Sequence, residues 1–217
     1  LQSNDWLFDA NDDRVAVLGL YTRGIRILSL DGNLIDEFTF EGPEIVDNPI
    51  AFNVALGPDN RLFVLDGALR RVQRFSPDGV LAAAWGERGV GPAQMEAPEQ
   101  IEADGEGNVY LLDVDLWRVQ KFSPDGTLLN LWDLTRTVQC GAYLHGSLTI
   151  ARGNRPAVLD RTFFPGRVTI FAAAGGVEST WLLPEEENLE LYDMVSDGAG
   201  FLMTSYRPLG IQRFSEA

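Results

Sequence analysis

The feature that most constrains the fold is an internal repeat. Asp-Gly pairs begin at residues 31, 78 and 125, so the sequence repeats with a period of 47 residues. The two best copies read LFVLDGALRRVQRFSPDGVLAAAW from Leu62 and VYLLDVDLWRVQKFSPDGTLLNLW from Val109. A fixed period of roughly 40–50 residues is typical of solenoids, propellers and other arrays, in which each copy contributes one supersecondary unit.

Each of the first four copies has the pattern of four short antiparallel strands. Apolar residues alternate, as at Leu62 and Val64, which indicates strands. Ser-Pro-Asp-Gly segments at 76–79 and 123–126 supply tight turns, because proline presets one turn angle and glycine permits a positive φ. A leucine-rich horseshoe needs a shorter period and a helical repeat needs 3.6-residue spacing, and neither pattern is present. The sequence therefore predicts an all-β fold, a β-propeller of four-stranded antiparallel blades.

Five repeats can be read, and together they predict a single propeller domain over residues 1–217. The last two copies are degraded, and the fifth has no fourth strand. We therefore expect either five blades or an incomplete six-bladed ring. The repeats span residues 5–40, 52–86, 99–132, 147–182 and 192–217.

Charge and composition narrow the function. The chain has 32 acidic and 17 basic residues, a formal net charge of −15 and no basic cluster, so we expect no nucleic-acid partner. The longest apolar run, 80–85, is far shorter than the ~20 residues that cross a bilayer, so we expect no direct membrane insertion. Cys140 and His145 are the single cysteine and histidine, which excludes an internal disulfide and metal sites built from several imidazoles. The sequence starts without methionine or a signal peptide. We expect an exported or trimmed, extracellular or periplasmic chain, with the cytoplasm as the alternative.

The run from Arg61 to Pro98 resembles the NHL repeat. Its matching features are LFVLD, RRVQRF, SPDG, a strand ending in Trp85-Gly86 and the segment GERGVGPAQMEAP, and the next copy repeats VYLLD, WRVQKF and SPDG. The resemblance implies a six-bladed propeller of the kind that serves as a protein- or RNA-interaction module. Related propellers include an amidating lyase and gluconolactonase-like hydrolases. RNA-binding members rely on a basic face and the lyase on several histidines, and this chain has neither.

The strand order predicts one face as the binding face. The loops between second and third strands lie there, together with the loops between blades, which vary most. Aromatic and arginine side chains with little lysine are usual at contact surfaces. Trp117 occupies a turn position where other copies have Leu69 and Tyr21, so we expect it to be exposed. The candidate contacts for a protein partner or small ligand are Tyr21, Arg23, Arg70, Trp117, Arg161, Tyr206 and Arg207.

A second candidate site lies on the first strand of each blade, near the propeller axis. Adding the period to one position gives Trp6, Asn53, Gln100, Ser147 and Asp193, of which four are polar. Oxygen donors that converge on an axis are suited to Ca²⁺, and gluconolactonase-like propellers use Glu, Asn and Asp on such strands. Asn53, Gln100 and Asp193 are therefore candidate metal ligands. The alternative is a water-filled channel with a solvated polar lining.

Two repeated features have a structural interpretation. Antiparallel pairing predicts one ion pair per blade, between an aspartate that ends the second strand and an arginine that begins the third. The pairs are Asp66 with Arg71, Asp113 with Arg118 and Asp160 with Arg167. Aromatic residues at one position of the fourth strand predict packing between neighbouring blades. They are Phe38, Trp85, Trp132 and Trp181.

Three functions remain open from the sequence. No convergent acid–base or nucleophile set is present, which favours a non-catalytic, NHL-like scaffold or binding module over an enzyme. The alternatives are a Ca²⁺-dependent hydrolase or lactonase with its site on the central channel, and a structural subunit of a larger assembly. In the last case a partner strand would complete the fifth blade by β-augmentation.

Overall fold

The computed structural model describes residues 6–19, 24–39, 51–134, 146–162, 166–183, 190–196, 200–207 and 210–215. These residues form nineteen strands in five antiparallel sheets, and in every sheet each strand pairs with its neighbours in sequence. Among them there is no helix of the length and apolarity that a membrane crossing requires. The chain divides into two compact units, residues 1–116 with 120–129 and residues 117–119 with 130–217.

The strands follow the chain order from sheet to sheet. The first sheet contains β1 (Trp6–Ala10), β2 (Arg14–Gly19), β3 (Gly24–Ser29) and β4 (Leu34–Thr39). The second contains β5 (Ala51–Leu56), β6 (Leu62–Asp66), β7 (Arg71–Phe75) and β8 (Leu81–Trp85). The third contains β9 (Pro98–Ala103), β10 (Val109–Asp113), β11 (Arg118–Phe122) and β12 (Leu128–Asp133). The fourth contains β13 (Gly146–Ala151), β14 (Arg155–Asp160), β15 (Arg167–Phe171) and β16 (Val177–Leu182). The fifth contains β17 (Glu190–Ser196), β18 (Gly200–Arg207) and β19 (Gly210–Ser215).

The predicted all-β fold of antiparallel blades is confirmed. Four sheets are four-stranded, and the fifth has three strands within the described ranges, in agreement with the repeat that lacks a fourth strand. That residues 1–217 form a single domain stays a prediction.

The second strand of each blade lies deepest in the core. β6 and β10 are buried along their whole length, because apolar residues on both faces of these strands are covered. In the first unit, one cluster joins the first and second sheets and another joins the second and third. The first cluster includes Leu18, Ile25, Val64 and Phe75. The second includes Leu65, Val72, Val109 and Phe122. In the second unit, the cluster between the fourth and fifth sheets includes Leu159, Val168, Met194 and Phe201.

Two of the three Asp-Gly turns that mark the repeat also receive an aromatic ring from the preceding blade. Gly79 and Gly126 have φ values of +78° and +89°. A Cβ atom added at either glycine would lie 2.7 Å from a ring carbon, of Phe38 at Gly79 and of Trp85 at Gly126. Glycine is therefore required both for the backbone conformation and for the close approach of the ring.

The same aromatic position joins blades in the second unit. The Trp132 indole N–H donates to the Ala172 carbonyl at 2.9 Å, and the ring of Trp181 packs against Phe201 with 5.7 Å between centroids. The predicted aromatic packing between neighbouring blades is thus confirmed in both units.

Candidate functional site

Buried aspartates fix the turns that shape the candidate binding face. Asp66 has no exposed surface, and its carboxylate accepts hydrogen bonds from the Leu69 N–H at 3.0 Å and the Arg71 Nε at 3.3 Å. Asp160 pairs with Arg167 at 3.1 Å in the same way. The ion pairs predicted for the second and fourth blades are therefore confirmed, and they hold the turn rather than face a ligand.

Arg70 and Trp117 occupy equivalent positions, each immediately before a third strand, so the predicted alignment of Trp117 with Leu69 is wrong by one residue. Both have left-handed backbone, with φ values of +55° and +49°, which is uncommon for bulky residues. The Arg70 guanidinium donates from Nε to the Glu96 carbonyl at 2.8 Å and from Nη1 to the Gly67 carbonyl. Trp117 is half-buried rather than exposed as predicted, and its carbonyl accepts the Leu134 N–H at 2.7 Å. Arg70 therefore anchors the loop between the second and third blades.

The loop of residues 86–97 joins those blades and is held from both sides. Its Ala93 N–H donates to the Gln120 Oε1 at 2.8 Å, and the Gln120 Nε2 donates back to the Gln94 carbonyl at 2.9 Å. Two N–H groups at the end of the loop donate to the buried Asp113 carboxylate at 2.9 and 3.1 Å. These bonds fix the loop backbone before any partner binds.

At its tip the loop exposes an apolar side chain. Val90 is 71% exposed, and Leu69 in the adjacent turn is 41% exposed. The exposed Arg88 pairs with Glu96 at 2.6 Å, and this hydrogen bond lowers the pKa of the Glu96 carboxyl below its usual range. We call residues 67–70, 86–97 and 114–116 of the first unit the loop surface.

The predicted contact residues are only partly placed. Arg70 lies in the loop surface, whereas Trp117 and the partly buried Arg161 belong to the second unit. Tyr21 and Arg23 lie outside the described residues, as do the side chains of Tyr206 and Arg207 in β18. The sequence did not predict Val90 as exposed, although the glycines on both sides of it are typical of a projecting loop.

The strand register aligns the predicted axial residues. Asn53 lies opposite Leu65, Gln100 opposite Leu112, Ser147 opposite Leu159 and Asp193 opposite Thr204. In the first sheet this position is held by Leu7, opposite Leu18, and the choice of Trp6 is wrong by one residue. The reason is that the turn between β1 and β2 is one residue shorter than the turn between β5 and β6.

Two of these polar residues hydrogen-bond the first strand of the following blade. The Asn53 Oδ1 accepts the Ile101 N–H at 3.1 Å, and the Ser147 Oγ accepts the Met194 N–H at 3.1 Å. Each side chain pairs a backbone donor on the first strand of the next sheet. The axial position therefore connects consecutive sheets within each unit.

A position two residues further along the first strand does the same. The Asp9 Oδ2 accepts the Leu56 N–H at 2.6 Å, and the Thr149 Oγ1 accepts the Ser196 N–H at 3.0 Å. Burial raises the pKa of Asp9, and the hydrogen bonds from the Leu56 and Ala10 N–H groups offset that rise only in part. The polar residues of the first strands thus have a structural role that the sequence did not reveal.

The calcium hypothesis stays a prediction. The Asp193 Oδ1 accepts the Ser147 hydroxyl at 2.6 Å, and the Gln100 Nε2 lies 3.5 Å from the Glu102 Oε1. Within the described ranges, no three histidine, cysteine, aspartate or glutamate side chains gather into a metal-binding group. Asn53 and Gln100 would bind Ca²⁺ through amide oxygens, which are a different type of ligand from these four.

Comparison with known proteins places the fold. No protein-family model matches the sequence, and no curated protein does. Among solved structures, virginiamycin B lyase from Staphylococcus aureus superposes with a TM-score of 0.63 and 14% identity, over 97% of this chain and 69% of the lyase. A nidogen/laminin complex gives a TM-score of 0.61 and 18% identity, over 97% and 74% of the two chains. The WD40 β-propeller domain of Doa1 gives 0.65 and 10% identity, over 97% and 63%.

The chain is a β-propeller. At these identities the similarity shows the fold alone, because β-propellers carry many unrelated activities. Membership of the NHL family and an incomplete six-bladed ring stay predictions.

Proposed function

We propose that this β-propeller is a non-catalytic binding module that contacts a protein partner through the loop surface. The observation that carries the proposal is Val90, an apolar residue with 71% of its surface exposed at the tip of a loop that hydrogen bonds hold in place. Loops positioned by a rigid scaffold are where binding residues concentrate in proteins.

The anchored loop lowers the cost of binding. Ordering a side chain at an interface costs about 0.5–1.5 kcal/mol, and mobile loops add to this. Arg70, Gln120 and Asp113 already fix the loop backbone, so a partner would bury Val90 and Leu69 without first ordering the loop. The exposed Arg88 adds a charged group at the rim, where polar residues are usual.

The predicted contact residues take different roles in this proposal. Arg70 positions the loop through its two carbonyl contacts. Trp117 is a half-buried aromatic residue in a strained turn, and such residues are frequent in binding hot spots. Tyr21, Arg23, Arg161, Tyr206 and Arg207 remain proposed contacts on the same predicted face.

The similar structures support binding without specifying it. One was solved as a nidogen/laminin complex and another is a lyase, so the fold serves both classes of function. Protein binding is better supported here because the loop surface offers an apolar tip. In the first strands, by contrast, Asn53 and Ser147 already accept backbone hydrogen bonds.

Affinity capture with two matched variants tests the proposal. Val90→Asp alters the loop tip, and Val80→Asp alters a valine that is 60% exposed in the same unit, in a turn at the other end of the strands. Wild type and both variants are immobilised and incubated with secreted, envelope and cytoplasmic extracts, because an extracellular or periplasmic location is itself a prediction. Bound proteins are quantified by mass spectrometry.

We expect at least one protein to be retained by wild type and Val80→Asp and to be lost by about tenfold or more with Val90→Asp. Purified, that protein should bind wild type saturably and Val90→Asp weakly in calorimetry. Equal melting temperatures of the two variants ensure that a loss does not reflect unfolding. Identical capture profiles for all three proteins would rule out the loop surface.

A further inference from the structure

Three turns of the first unit repeat one backbone conformation around a chemically reactive pair of residues. Asp31-Gly32, Asp78-Gly79 and Asp125-Gly126 each join a third strand to a fourth. In every turn the glycine N–H donates to a serine carbonyl at 2.8–2.9 Å, and the glycine φ lies between +78° and +89°. A glycine nitrogen can attack the side-chain carboxyl of the preceding aspartate, because glycine has no side chain to hinder the approach. Since the backbones match, differences in reactivity come from the surroundings of each turn.

The carboxylates of two of these turns are held by a hydroxyl group. The Ser76 Oγ donates to the Asp78 carboxylate, and the Ser123 Oγ donates to the Asp125 carboxylate. These hydrogen bonds lower the pKa of both aspartates, so less of each is the protonated acid that can lose water. Within the part of the chain that the structure describes, the carboxylate of Asp31 accepts no hydrogen bond. The side chain of the first turn is therefore free to reorient.

The turn glycines differ in the same sense. The rings of Phe38 and Trp85 lie against Gly79 and Gly126, whereas Gly32 is exposed and has open space around it. The glycine N–H is hydrogen-bonded within each turn, so the turn must open locally before the nitrogen can reach the side-chain carboxyl carbon. An aromatic ring packed on the turn opposes that opening. It opposes it in the second and third blades and not in the first.

Proline adds a further restriction to the same two turns. Pro77 and Pro124 precede the aspartates of the second and third blades, and proline fixes one backbone angle. At the equivalent position the first turn has Leu30, which is 61% exposed. Opening the first turn therefore meets the least resistance of the three.

Two other Asp-Gly pairs are immobilised by burial. Asp66 has no exposed surface and accepts the Leu69 N–H at 3.0 Å. Asp104 is 2% exposed and pairs with the Lys121 Nζ at 3.1 Å. Moving either carboxyl onto the following nitrogen would break these buried bonds. A sixth pair, at residues 197–198, lies outside the described residues.

We propose that Asp31 is a site of spontaneous covalent modification, at which the chain isomerises to isoaspartate. The Gly32 nitrogen bonds to the Asp31 Cγ, and the N–H proton and the carboxyl hydroxyl leave as water, which forms a cyclic succinimide. Water then adds to the backbone carbonyl carbon of Asp31 and breaks its bond to the Gly32 nitrogen. The main chain now passes through the side chain and is one carbon longer, and the former backbone carbonyl is a free carboxylate. Composition and charge are unchanged, and the modification is independent of the loop surface.

Peptide mapping of the full chain measures the reaction at each site. The purified protein is incubated for several weeks in slightly acidic buffer, above its isoelectric point of about 4.3. Isoaspartate is quantified in digests by electron-transfer fragmentation, which distinguishes the two backbones, and by methylation with an isoaspartyl methyltransferase. We expect isoaspartate to accumulate about tenfold or more faster at Asp31 than at Asp78 or Asp125, a ratio equivalent to about 1.4 kcal/mol. In concentrated urea, where every turn is open, the three sites should react at similar rates.

Two variants exchange features between the turns. Leu30→Pro gives the first turn the proline of the others and should slow the reaction at Asp31. Ser76→Ala removes the hydroxyl that holds Asp78 and should speed the reaction there, with Asp125 as the unchanged internal reference. Melting temperatures equal to that of wild type ensure that neither effect reflects unfolding. Equal rates at the three sites in the folded protein, or a preference for Asp31 that persists unchanged in urea, would overturn the proposal.

Discussion

At the scale of single residues, Asn53 has the most sharply defined role. Its Oδ1 accepts the N–H of Ile101, a residue with no exposed surface. Asn53→Ala leaves that buried N–H without its acceptor, which costs about 1–3 kcal/mol. We expect urea denaturation to show this loss in the free energy of unfolding. Asn53→Asp should lose less, because its carboxylate keeps an acceptor oxygen at the same place.

Stability measurements with and without calcium distinguish this hydrogen-bonding role of Asn53 from a role as a metal ligand. If Asn53, Gln100 and Asp193 held Ca²⁺, a chelator at constant ionic strength would lower the stability of wild type and leave Asn53→Ala unaffected. The hydrogen-bonding role predicts the same difference between the two proteins with and without calcium. Equal stability of wild type and Asn53→Ala in both buffers would contradict it.

Two turn glycines form a matched pair. Gly126 and Gly32 have φ values of +89° and +80°, so alanine should introduce about 1–2 kcal/mol of backbone strain at each. The two glycines differ in their surroundings. A new Cβ at Gly126 would lie 2.7 Å from the Trp85 ring, whereas the space around Gly32 is open. Forcing a methyl group into a packed contact costs about 1–3 kcal/mol more. We expect Gly126→Ala to lose more stability than Gly32→Ala by that amount in urea denaturation, whereas equal losses would mean that Trp85 moves aside freely.

The sequence predicts these positions better than their roles. A constant period identifies the turn glycines and aligns Asn53 with Ser147. The acceptor role of Asn53 depends on a backbone N–H that is 48 residues away in the next sheet. No local pattern specifies which side-chain oxygen accepts that N–H. From the sequence, the polar residues of the first strands are therefore equally consistent with a role as metal ligands.

At the scale of elements, a buried charge network joins a turn of the third blade to two strands. The Asp104 carboxylate accepts the Asn108 N–H at 2.9 Å and the Tyr110 hydroxyl at 3.2 Å, and it pairs with the Lys121 Nζ at 3.1 Å. The Lys121 ammonium also lies 4.9 Å from the Tyr110 ring centroid. Burial alone would raise the pKa of Asp104, but the hydrogen bonds from Asn108, Lys121 and Glu106 outweigh it and lower the pKa.

The network predicts a pH dependence. Because the pKa of Asp104 is lowered in the folded state, its charged form stabilises the fold above the ordinary value of 3.8. That contribution is lost as the pH falls through the lower, folded value. Breaking a buried ion pair costs about 3–5 kcal/mol. We expect Asp104→Asn to lose stability of this order at neutral pH, measured by denaturant unfolding, and the difference from wild type to shrink only in strong acid.

Lys121→Met gives the complementary measurement. It removes the ammonium and leaves the buried carboxylate, so it too should destabilise the protein near neutral pH. A difference between wild type and Asp104→Asn that disappeared already at about pH 6 would contradict the lowered pKa.

The sequence could not predict this network, because the second blade has Gly57 and Phe63 where the third has Asp104 and Tyr110.

At the scale of the whole molecule, the period alone was sufficient for the fold class. Each copy must bury both faces of its second strand, and only neighbouring copies can cover them, as the complete burial of β6 and β10 shows. The loop surface was less accessible to sequence reasoning. The exposure of Val90 depends on anchors at Gln120 and Asp113, which lie in the following repeat.

The net charge predicts how the stability of the whole molecule responds to salt. The chain carries 32 acidic and 17 basic residues, and folding brings the surplus negative charges closer together. Exposed attractive pairs such as Arg26 with Glu37 contribute only about 0–1 kcal/mol each. Raising the salt concentration from about 0.01 to 0.1 M shortens the screening length from about 30 to 10 Å. We expect the melting temperature to rise by about 2–4 °C, equivalent to about 1 kcal/mol.

A double variant in one turn isolates the cause. Asp12 and Asp13 are exposed neighbours between β1 and β2, and changing both to asparagine removes two surplus negative charges with little change in volume. The double variant should melt at a higher temperature than wild type at low salt and should gain less from added sodium chloride. If wild type instead melted at a lower temperature as salt was added, attraction within the ion pairs would exceed the repulsion among the surplus acidic groups.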